Sequence, residues 1–494
     1  MRWKAVGSSP LAIIALCLGT AGLWTCAYDS TVGQADEQQA AAREASPSTG
    51  SETGTSKDAE RASEAESAKS TAKERGLRLR HPPQDDVLGL PIAIEDADGT
   101  SMDALHEALE RASEGEGQAR LLFYGASHVA SEMFTGPVRE RLQTRYGDAG
   151  HGFILPVHPW RSYRHRAIGI DSNLRAWDTL RIRANDGEDE YDYYGLAGVA
   201  VETDRGGAWG EVRTAEHGEI GRRASVFDLY YLKQPGGGDF DVYIDGARKA
   251  RIDTGAAETE AGYQTFRVAD GAHSLKIRTR GNGKVRIFGV AVERERPGVI
   301  VDTLGINGAR ARYHLLWDDE LYREHLRRRD PDLVTLAYGT NESGDDRPIE
   351  DYEADVRKVV ERVRETVPDA SCLLIGPSDR PVEVEDGSEE GDGAAYRDRP
   401  RTAEVNRVQR EVALDNGCGY FDLVAFQGGP LSMVDWAAHD PPYGAPDHIH
   451  YTFRGYARLG EELLGAMLEG FEPPPGVDEP ADGPAVAARG ATDG

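Results

Sequence analysis

The chain has 494 residues, more than one ordinary domain holds, so we expect two or three units. Its 85 Asp and Glu residues outnumber its 57 Lys and Arg residues and give a formal net charge of −28, which disfavours a nucleic-acid partner by repulsion from the phosphate backbone. Four cysteines are too few for a disulfide-dense scaffold.

The N-terminus predicts export. Residues 1–26 have the form of a secretory signal peptide, because Arg2 and Lys4 precede an apolar stretch over 11–24 that is shorter than the ~20 residues of a membrane span. The stretch ends in Leu-Trp-Thr-Cys, which resembles a bacterial lipoprotein cleavage box and would place a lipid on Cys26. An ordinary cleaved signal peptide and an uncleaved anchor are the alternatives. In each case we expect an extracytoplasmic protein (periplasmic, outer-membrane-anchored or secreted) that meets a membrane only through this N-terminal anchor.

Two segments are predicted to be disordered. Residues 27–80 consist largely of Ala, Ser, Glu, Thr and Lys, which bury too little apolar surface to offset the entropy of ordering the chain. Residues 470–494 are rich in Pro, Gly, Ala and Asp and have the same character. We therefore expect 27–80 to be a flexible linker and 470–494 a disordered tail.

Residues 81–164 and 298–469 predict the two parts of one α/β domain. Short apolar runs of the length of buried parallel strands alternate with helical stretches, and the runs are 120–124, 299–301, 333–337, 372–375 and 420–423. One helical stretch, 352–367, has Tyr and Val residues at helical spacing. Strands that alternate with helices predict a parallel sheet between two helical layers, in the flavodoxin-like strand order 2-1-3-4-5.

Residues 165–297 interrupt this alternation and predict an all-β domain inserted between the first two strands of the sheet. Polar and apolar residues alternate over 225–232 and 240–244, and turns such as Asp245-Gly246 separate the short runs. This pattern is typical of a β-sandwich. Its aromatic side chains have two interpretations, as a polysaccharide-binding surface or as the core of the sandwich.

Polar residues follow the predicted strands at the edge of the sheet where open parallel sheets bind ligands. Ser127 comes after the first strand, Asn341 after the third, and Asp447 and His450 precede the last helix. Ser, His and Asp are the nucleophile, general base and orienting carboxylate of serine hydrolases. The spacing of three residues places Asp447 and His450 on one side of a turn, which favours His450 over His448 as the base.

Four short blocks, in order, resemble the SGNH (GDSL-type) hydrolase superfamily. Gly125-Ala126-Ser127-His128 matches the nucleophile block, although Ala126 stands where the family's name-motif has Asp. Gly305-Ile306-Asn307-Gly308-Ala309 resembles the glycine block, and Gly339-Thr340-Asn341 matches the block of the oxyanion-hole Asn. Asp447 and His450 match the terminal Asp-x-x-His block.

This resemblance implies a three-layer α/β/α fold and a site formed by five residues. Ser127, His450 and Asp447 would form the catalytic triad, and Ser127 N–H, Gly308 N–H and the Asn341 amide would form the oxyanion hole. A glycine at 308 suits this role, because it has no Cβ to obstruct the approach of the backbone.

Further residues have two interpretations each. His128 and Trp436 are expected at the substrate, with core or loop packing as the alternative for Trp436. His151, His158 and His165 either line the cleft or lie locally satisfied in a loop, which we favour. Cys372 and Cys418, in or next to adjacent predicted strands, are expected to be buried free thiols, with a disulfide as the alternative outside the cytoplasm.

Two competing chemistries are disfavoured. An α/β-hydrolase would have a Gly two residues after its nucleophile, where this chain has Val129, and would separate its Asp and His far more widely. A metal site formed by Asp447, His448 and His450 with His128 lacks the spacing of a known metal hydrolase. We therefore expect neither a metal nor a cofactor.

The SGNH blocks, the β-sandwich and the secretion signal together resemble bacterial carbohydrate O-acetylesterases, in particular the peptidoglycan O-acetylesterase type. The resemblance implies a serine esterase that removes O-acetyl groups from a cell-envelope polysaccharide such as peptidoglycan, through an acetyl-enzyme on Ser127. Two alternatives stay open: a polysaccharide O-acetyltransferase with the same triad, and a tethered glycan-binding protein with an inactive SGNH domain. A lipase or thioesterase also fits, because fold does not determine substrate.

Overall fold

A computed structural model describes residues 88–130, 132–182, 192–384 and 395–472. The predicted signal peptide with Cys26, the predicted linker 27–80 and the predicted tail from residue 473 onward lie outside these residues. Among the described helices, none is both long enough and apolar enough to cross a lipid bilayer.

The described residues form eighteen strands and nine α-helices. The strands are β1 (Gln118–Gly125), β2 (Gly150–Ile154), β3 (Ile168–Ser172), β4 (Asp178–Arg181), β5 (Val199–Thr203), β6 (Trp209–Thr214), β7 (Ala224–Lys233), β8 (Asp239–Ile244), β9 (Ala247–Asp253), β10 (Glu260–Gly271), β11 (Ser274–Thr279), β12 (Val285–Glu293), β13 (Gly298–Gly305), β14 (Leu333–Ala337), β15 (Ser371–Ile375), β16 (Val382–Val384), β17 (Ala395–Arg397) and β18 (Gly419–Phe421). The helices are α1 (Asp103–Ser113), α2 (Ser127–Ala130), α3 (Thr135–Tyr146), α4 (Asp319–Arg329), α5 (Ile349–Thr366), α6 (Pro400–Asp415), α7 (Leu423–Gln427), α8 (Ser432–Ala438) and α9 (Phe453–Met467).

Five parallel strands form the central sheet, in the order β13-β1-β14-β15-β18. Counted along the chain within this sheet, the order is 2-1-3-4-5, which confirms the predicted topology. The first strand, β1, lies between the second and third strands, with Gly125 beside Gly305 on one side and Ala337 on the other. The loops that follow β1, β13 and β14 therefore emerge side by side at the carboxyl edge of the sheet.

The sheet lies between two helical layers. Successive residues of β1 enter different cores: Leu121 and Phe123 pack on one face, and Leu122 and Tyr124 on the other. The first core contains apolar residues of α1, α3 and α9, and the second contains those of α4, α5 and α6. Because both faces are covered, the strands are apolar throughout, as in other parallel sheets.

Two antiparallel sheets form the all-β part. One has the order β10-β7-β12-β5-β4, with β2 added alongside β12, and the other has the order β3-β6-β11-β8-β9. The predicted inserted β-sandwich is therefore present. The predicted domain limits stay predictions, but β2, which lies before residue 165, pairs with a strand of the sandwich rather than with the central sheet.

Cys372 in β15 and Cys418 immediately before β18 form a disulfide. The preferred expectation of two free thiols was therefore wrong. The pairing follows from topology, because β15 and β18 are neighbours in the sheet and bring the two residues to a Cα separation of 4.6 Å.

Candidate active site

Ser127 is the first residue of the short helix α2, and a tight turn at Ala126 connects it to the end of β1. Two glycines make this turn sterically feasible. A Cβ on Gly125 would overlap the Val129 side chain and the Ala337 carbonyl oxygen, and a Cβ on Gly305 would overlap the Ala130 backbone. Helix α2 can therefore pack directly over the carboxyl ends of β1 and of the neighbouring strand β13.

The structure brings together the three residues that the sequence assigns to the triad. His450 Nε2 lies 2.8 Å from Ser127 Oγ, and His450 Nδ1 lies 2.7 Å from Asp447 Oδ2. All three side chains are within hydrogen-bonding distance although Ser127 and His450 are 323 positions apart in the chain. This geometry can move a proton from the serine hydroxyl to an imidazole whose other nitrogen is held by a carboxylate.

Asp447 is held as an anion by the turn that contains it. Its Oδ1 accepts hydrogen bonds from the backbone N–H groups of Ile449 and His450, at 3.0 and 2.9 Å. Burial raises the pKa of this carboxyl, but the hydrogen bond and charge of His450 and the backbone N–H groups outweigh burial and hold the pKa well below its usual range. An ionised Asp447 can therefore orient His450 and stabilise its protonated form.

His448 does not share this arrangement. Its backbone has a φ of +54°, and its ring packs on Tyr396, with the centroids 4.5 Å apart. The structure therefore pairs Asp447 with His450, as the spacing in the sequence favoured.

Gly308 and Asn341, the other two residues expected in the oxyanion hole, lie on neighbouring loops. Gly308 follows β13 and has a φ of +73°, and the position of a Cβ on it would be open space. The left-handed backbone therefore favours glycine at this position independently of the space around it. Asn341 follows β14, and its Nδ2 donates to the Ala309 carbonyl at 2.9 Å. An amide nitrogen carries two hydrogens, so the second can be donated to an oxyanion.

His128 was expected to contact substrate, and the structure corrects this. Its side chain is buried, with Nδ1 2.9 Å from the Tyr456 hydroxyl and Nε2 3.3 Å from Ser378 Oγ. Burial, followed by the nearby charge of His450, lowers the pKa of His128 to about 3. His128 is thus a neutral imidazole inside the protein, next to the site rather than in its cleft.

Trp436 was also expected at the substrate, and this was wrong. Its side chain is 1% exposed, and its indole N–H donates to the Gln427 carbonyl at 2.9 Å. It packs against Phe426, Tyr443 and Tyr451 in the core on the α9 side of the sheet. The position of Trp436 in the sequence does not by itself show whether the side chain lines a substrate cleft or packs in the core.

The side chains of His151 and His165 are buried, so they do not line a cleft. Together with Glu132 they are the one group, among the described residues, of three or more potential metal ligands whose ligand atoms lie within 4.8 Å of each other. The Glu132 carboxylate, however, forms an ion pair with buried Arg139 and accepts the Arg166 backbone N–H. A guanidinium already neutralises this carboxylate, which disfavours a bound cation. The third histidine, His158, lies half-buried near Ser172.

Several polar residues around the site were missed from the sequence. Thr340 and Ser378 bond each other, and Ser378 in turn contacts His128. Glu342 is buried beside Asn341. Thr340 lies inside the third block and Glu342 directly follows its Asn, so both had a signal in the sequence. Ser378 had none, because its contacts depend on how distant loops fold together.

Comparison with known families supports the assignment of the α/β part. Residues 268–458 match the model of the GDSL-like Lipase/Acylhydrolase family. The matched range holds Gly308, Asn341, Asp447 and His450 but begins after Ser127, which the inserted strands separate from the other blocks. By sequence, no curated protein matches the chain.

Comparison with solved structures extends this result. A peptidoglycan O-acetylesterase structure ("Peptidoglycan O-acetylesterase in action, 5 min") is similar at 26% identity and a TM-score of 0.61, over 76% of this chain and 99% of that chain. A match of this length exceeds the two predicted hydrolase parts together and so extends into the β-sandwich. A family two carbohydrate esterase from Clostridium thermocellum, in complex with cellohexaose, matches at 12% identity and a TM-score of 0.26, over 56% of this chain and 98% of that chain, which is too distant to inform function.

These findings identify an SGNH (GDSL-type) hydrolase domain with an additional β-sandwich. The chain resembles a peptidoglycan O-acetylesterase, and its domain and this neighbour support an esterase.

Proposed function

We propose that the chain is an exported serine esterase that removes O-acetyl groups from a cell-envelope polysaccharide such as peptidoglycan. The observation that carries the proposal is the continuous contact from Ser127 Oγ through His450 to Asp447, at 2.8 and 2.7 Å. The similarity to a peptidoglycan O-acetylesterase supports the acetyl group and the class of glycan.

The reaction would proceed in two steps through an acetyl-enzyme. His450 Nε2 takes the proton of Ser127 while Oγ attacks the acetyl carbonyl, and the negative charge develops near Gly308 and Asn341. His450 then gives the proton to the sugar oxygen as its bond to the acetyl carbon breaks, so that the sugar leaves as a free hydroxyl and the acetyl group stays on Ser127. A water molecule, deprotonated by His450, attacks the carbonyl carbon of this ester. The bond between the acetyl group and Ser127 Oγ then breaks, acetate leaves, and His450 returns the proton to Ser127 Oγ.

Two observations support an extracytoplasmic location. The first is the charged and then apolar sequence of residues 1–26. The second is the disulfide between Cys372 and Cys418, a bond that persists mainly in oxidising compartments.

The test uses the purified chain and a series of 4-nitrophenyl esters of increasing acyl length, followed by O-acetylated peptidoglycan. We expect the acetyl ester to be the best of the series and peptidoglycan to release acetate. Preference for long acyl chains would indicate a lipase or thioesterase instead. Acetylated oligosaccharides in place of free acetate would indicate an O-acetyltransferase, and binding of peptidoglycan without turnover would indicate an inactive SGNH domain.

A further inference from the structure

A buried carboxylate bridges the two loops that carry Gly308 and Asn341. Glu342 is 5% exposed. Its Oε1 accepts the backbone N–H of Ala311 at 2.8 Å, and its Oε2 accepts the backbone N–H of Gly339 at 3.0 Å. Ala311 belongs to the segment after β13 and Gly339 to the segment after β14, so one side chain holds both.

Other bonds join the same two loops. The Arg310 guanidinium forms two hydrogen bonds of 2.6 Å with the Asp345 carboxylate and donates to the Gly308 carbonyl at 3.0 Å. The Asn341 side chain donates to the Ala309 carbonyl. The Arg310–Asp345 pair and the Asn341 bond connect the Gly308 side to the Asn341 side, whereas the Arg310 bond to Gly308 lies within one loop. Of these groups, Glu342 is the one whose single buried side chain accepts from the backbone of both loops.

The backbone N–H groups of Ala311 and Gly339 also stabilise the charged form of the Glu342 carboxylate. Burial raises the pKa of its carboxyl, while the hydrogen bond from Ala311 and the charge of Arg310 oppose this effect. A carboxylate has an acceptor oxygen for each N–H, whereas a side-chain amide has one oxygen and would turn its NH₂ group toward the second donor. The bridge therefore depends on a carboxylate at this position.

We propose that Glu342 is a positioning residue that fixes the separation of the Gly308 N–H and the Asn341 amide in the oxyanion hole. This inference rests on the proposed function. Oxyanion donors stabilise a transition state only when they are held in place beforehand, and the loss of one donor costs about 10²–10³-fold in kcat. Glu342 touches no reacting atom, so its loss should displace donors and cost less than that.

The test is kinetic and uses Glu342→Gln with 4-nitrophenyl acetate. We expect kcat to fall about 10–100-fold with KM changed less than about threefold, because the donors act mainly on the transition state. The matched control is Asp318→Asn, which makes the same chemical change at the cap of α4, where Asp318 accepts the Leu321 N–H, and should leave kcat unchanged.

A second variant tests the bridge from its other end. Ala311→Pro removes the backbone N–H that donates a hydrogen bond to Glu342. A proline is tolerated there, because Ala311 is the first residue of a 3₁₀ helix and the preceding Arg310 has an extended backbone. We expect it to reproduce the kcat loss, and to do so even if Glu342→Gln proves too unstable to assay.

The decisive comparison repeats either bridge variant in an Asn341→Ala background. If Glu342 acts by fixing the separation of the two donors, its effect on kcat should shrink to less than about threefold there, since without the Asn341 amide there is no second donor whose distance from the Gly308 N–H matters. An equal loss in both backgrounds, or folded bridge variants with wild-type kcat, would overturn the inference. Wild-type activity of Ser127→Ala would instead refute the proposed function, so the two failures are distinguishable.

Discussion

The rings of His128 and His450 lie next to each other, with their centroids 5.4 Å apart. His450 is the proposed base, and His128 is the residue that directly follows the proposed nucleophile. Because burial keeps His128 neutral, it adds no positive charge beside the imidazolium that forms on His450 during the reaction. His128 therefore supports the base by packing and by hydrogen bonds to Tyr456 and Ser378 rather than by its own protonation.

Replacement of His128 by Phe should destabilise the protein. The ring would still pack against His450, but the hydrogen bonds to Tyr456 and Ser378 would be lost in a buried place, at a cost of about 1–3 kcal/mol in the free energy of unfolding. Urea unfolding measures this quantity. His128→Gln, which keeps polar groups at the position, is the control and should cost less. Equal stability of wild type and His128→Phe would contradict this role.

The stability of the protein should fall in acid, in part through His325. This side chain is buried among Tyr230, Tyr263 and Phe288, and its two ring nitrogens have no hydrogen-bond partner among the described residues. Burial, followed by the charge of Arg328, lowers the pKa of His325 to about 3. In the unfolded chain this imidazole has its ordinary pKa of 6.5, so below that pH the unfolded chain binds a proton that the folded chain does not. The free energy of unfolding therefore decreases as the pH is lowered from 6.5 toward about 3.

The variant His325→Phe should remove this contribution. Between pH 7 and pH 5, wild type should lose about 2 kcal/mol more of its unfolding free energy than the variant does. Urea unfolding at the two pH values measures the difference. The matched control is His273. Partial burial lowers the pKa of this histidine, but the hydrogen bond to Asp245 outweighs that effect and the pKa is raised. Between pH 7 and pH 5, His273→Gln should therefore lose more unfolding free energy than wild type does, whereas His325→Phe should lose less. Identical pH dependence of wild type and both variants would refute this account.

The disulfide should contribute substantially to stability. It closes a loop with a sequence separation of 46 between Cys372 and Cys418. Chain-entropy arguments give about 4 kcal/mol for a loop of this length. The double variant Cys372→Ala/Cys418→Ala should therefore unfold at a lower urea concentration, and reductant should shift wild type but not the variant. No shift of wild type by reductant under unfolding conditions would show that the thiols are not joined.

Much of the fold follows from local patterns. The apolar runs that became β1, β13, β14, β15 and β18 are buried on both faces, so each run appears without interruption in the sequence, and the strand order follows from the flavodoxin-like arrangement. The contact between Asp447 and His450 was also predictable, because their spacing places both on one turn.

Other features depend on packing between distant segments. Trp436 and His128 lie close in the sequence to residues of the site, but whether their side chains are exposed depends on loops that come together only in the folded chain. The same holds for Cys372 and Cys418, whose pairing requires the neighbourhood of β15 and β18, and for β2, which joins the sandwich across the predicted domain limit.

The most direct test of the central claim is the release of acetate from O-acetylated peptidoglycan by wild type, Ser127→Ala and the control Ser113→Ala, whose hydroxyl donates to a backbone carbonyl at the end of α1. We predict that Ser113→Ala retains the wild-type rate and that Ser127→Ala loses about 10³-fold or more, because no other group replaces the nucleophile. Acetate release by Ser127→Ala at the wild-type rate would contradict the account.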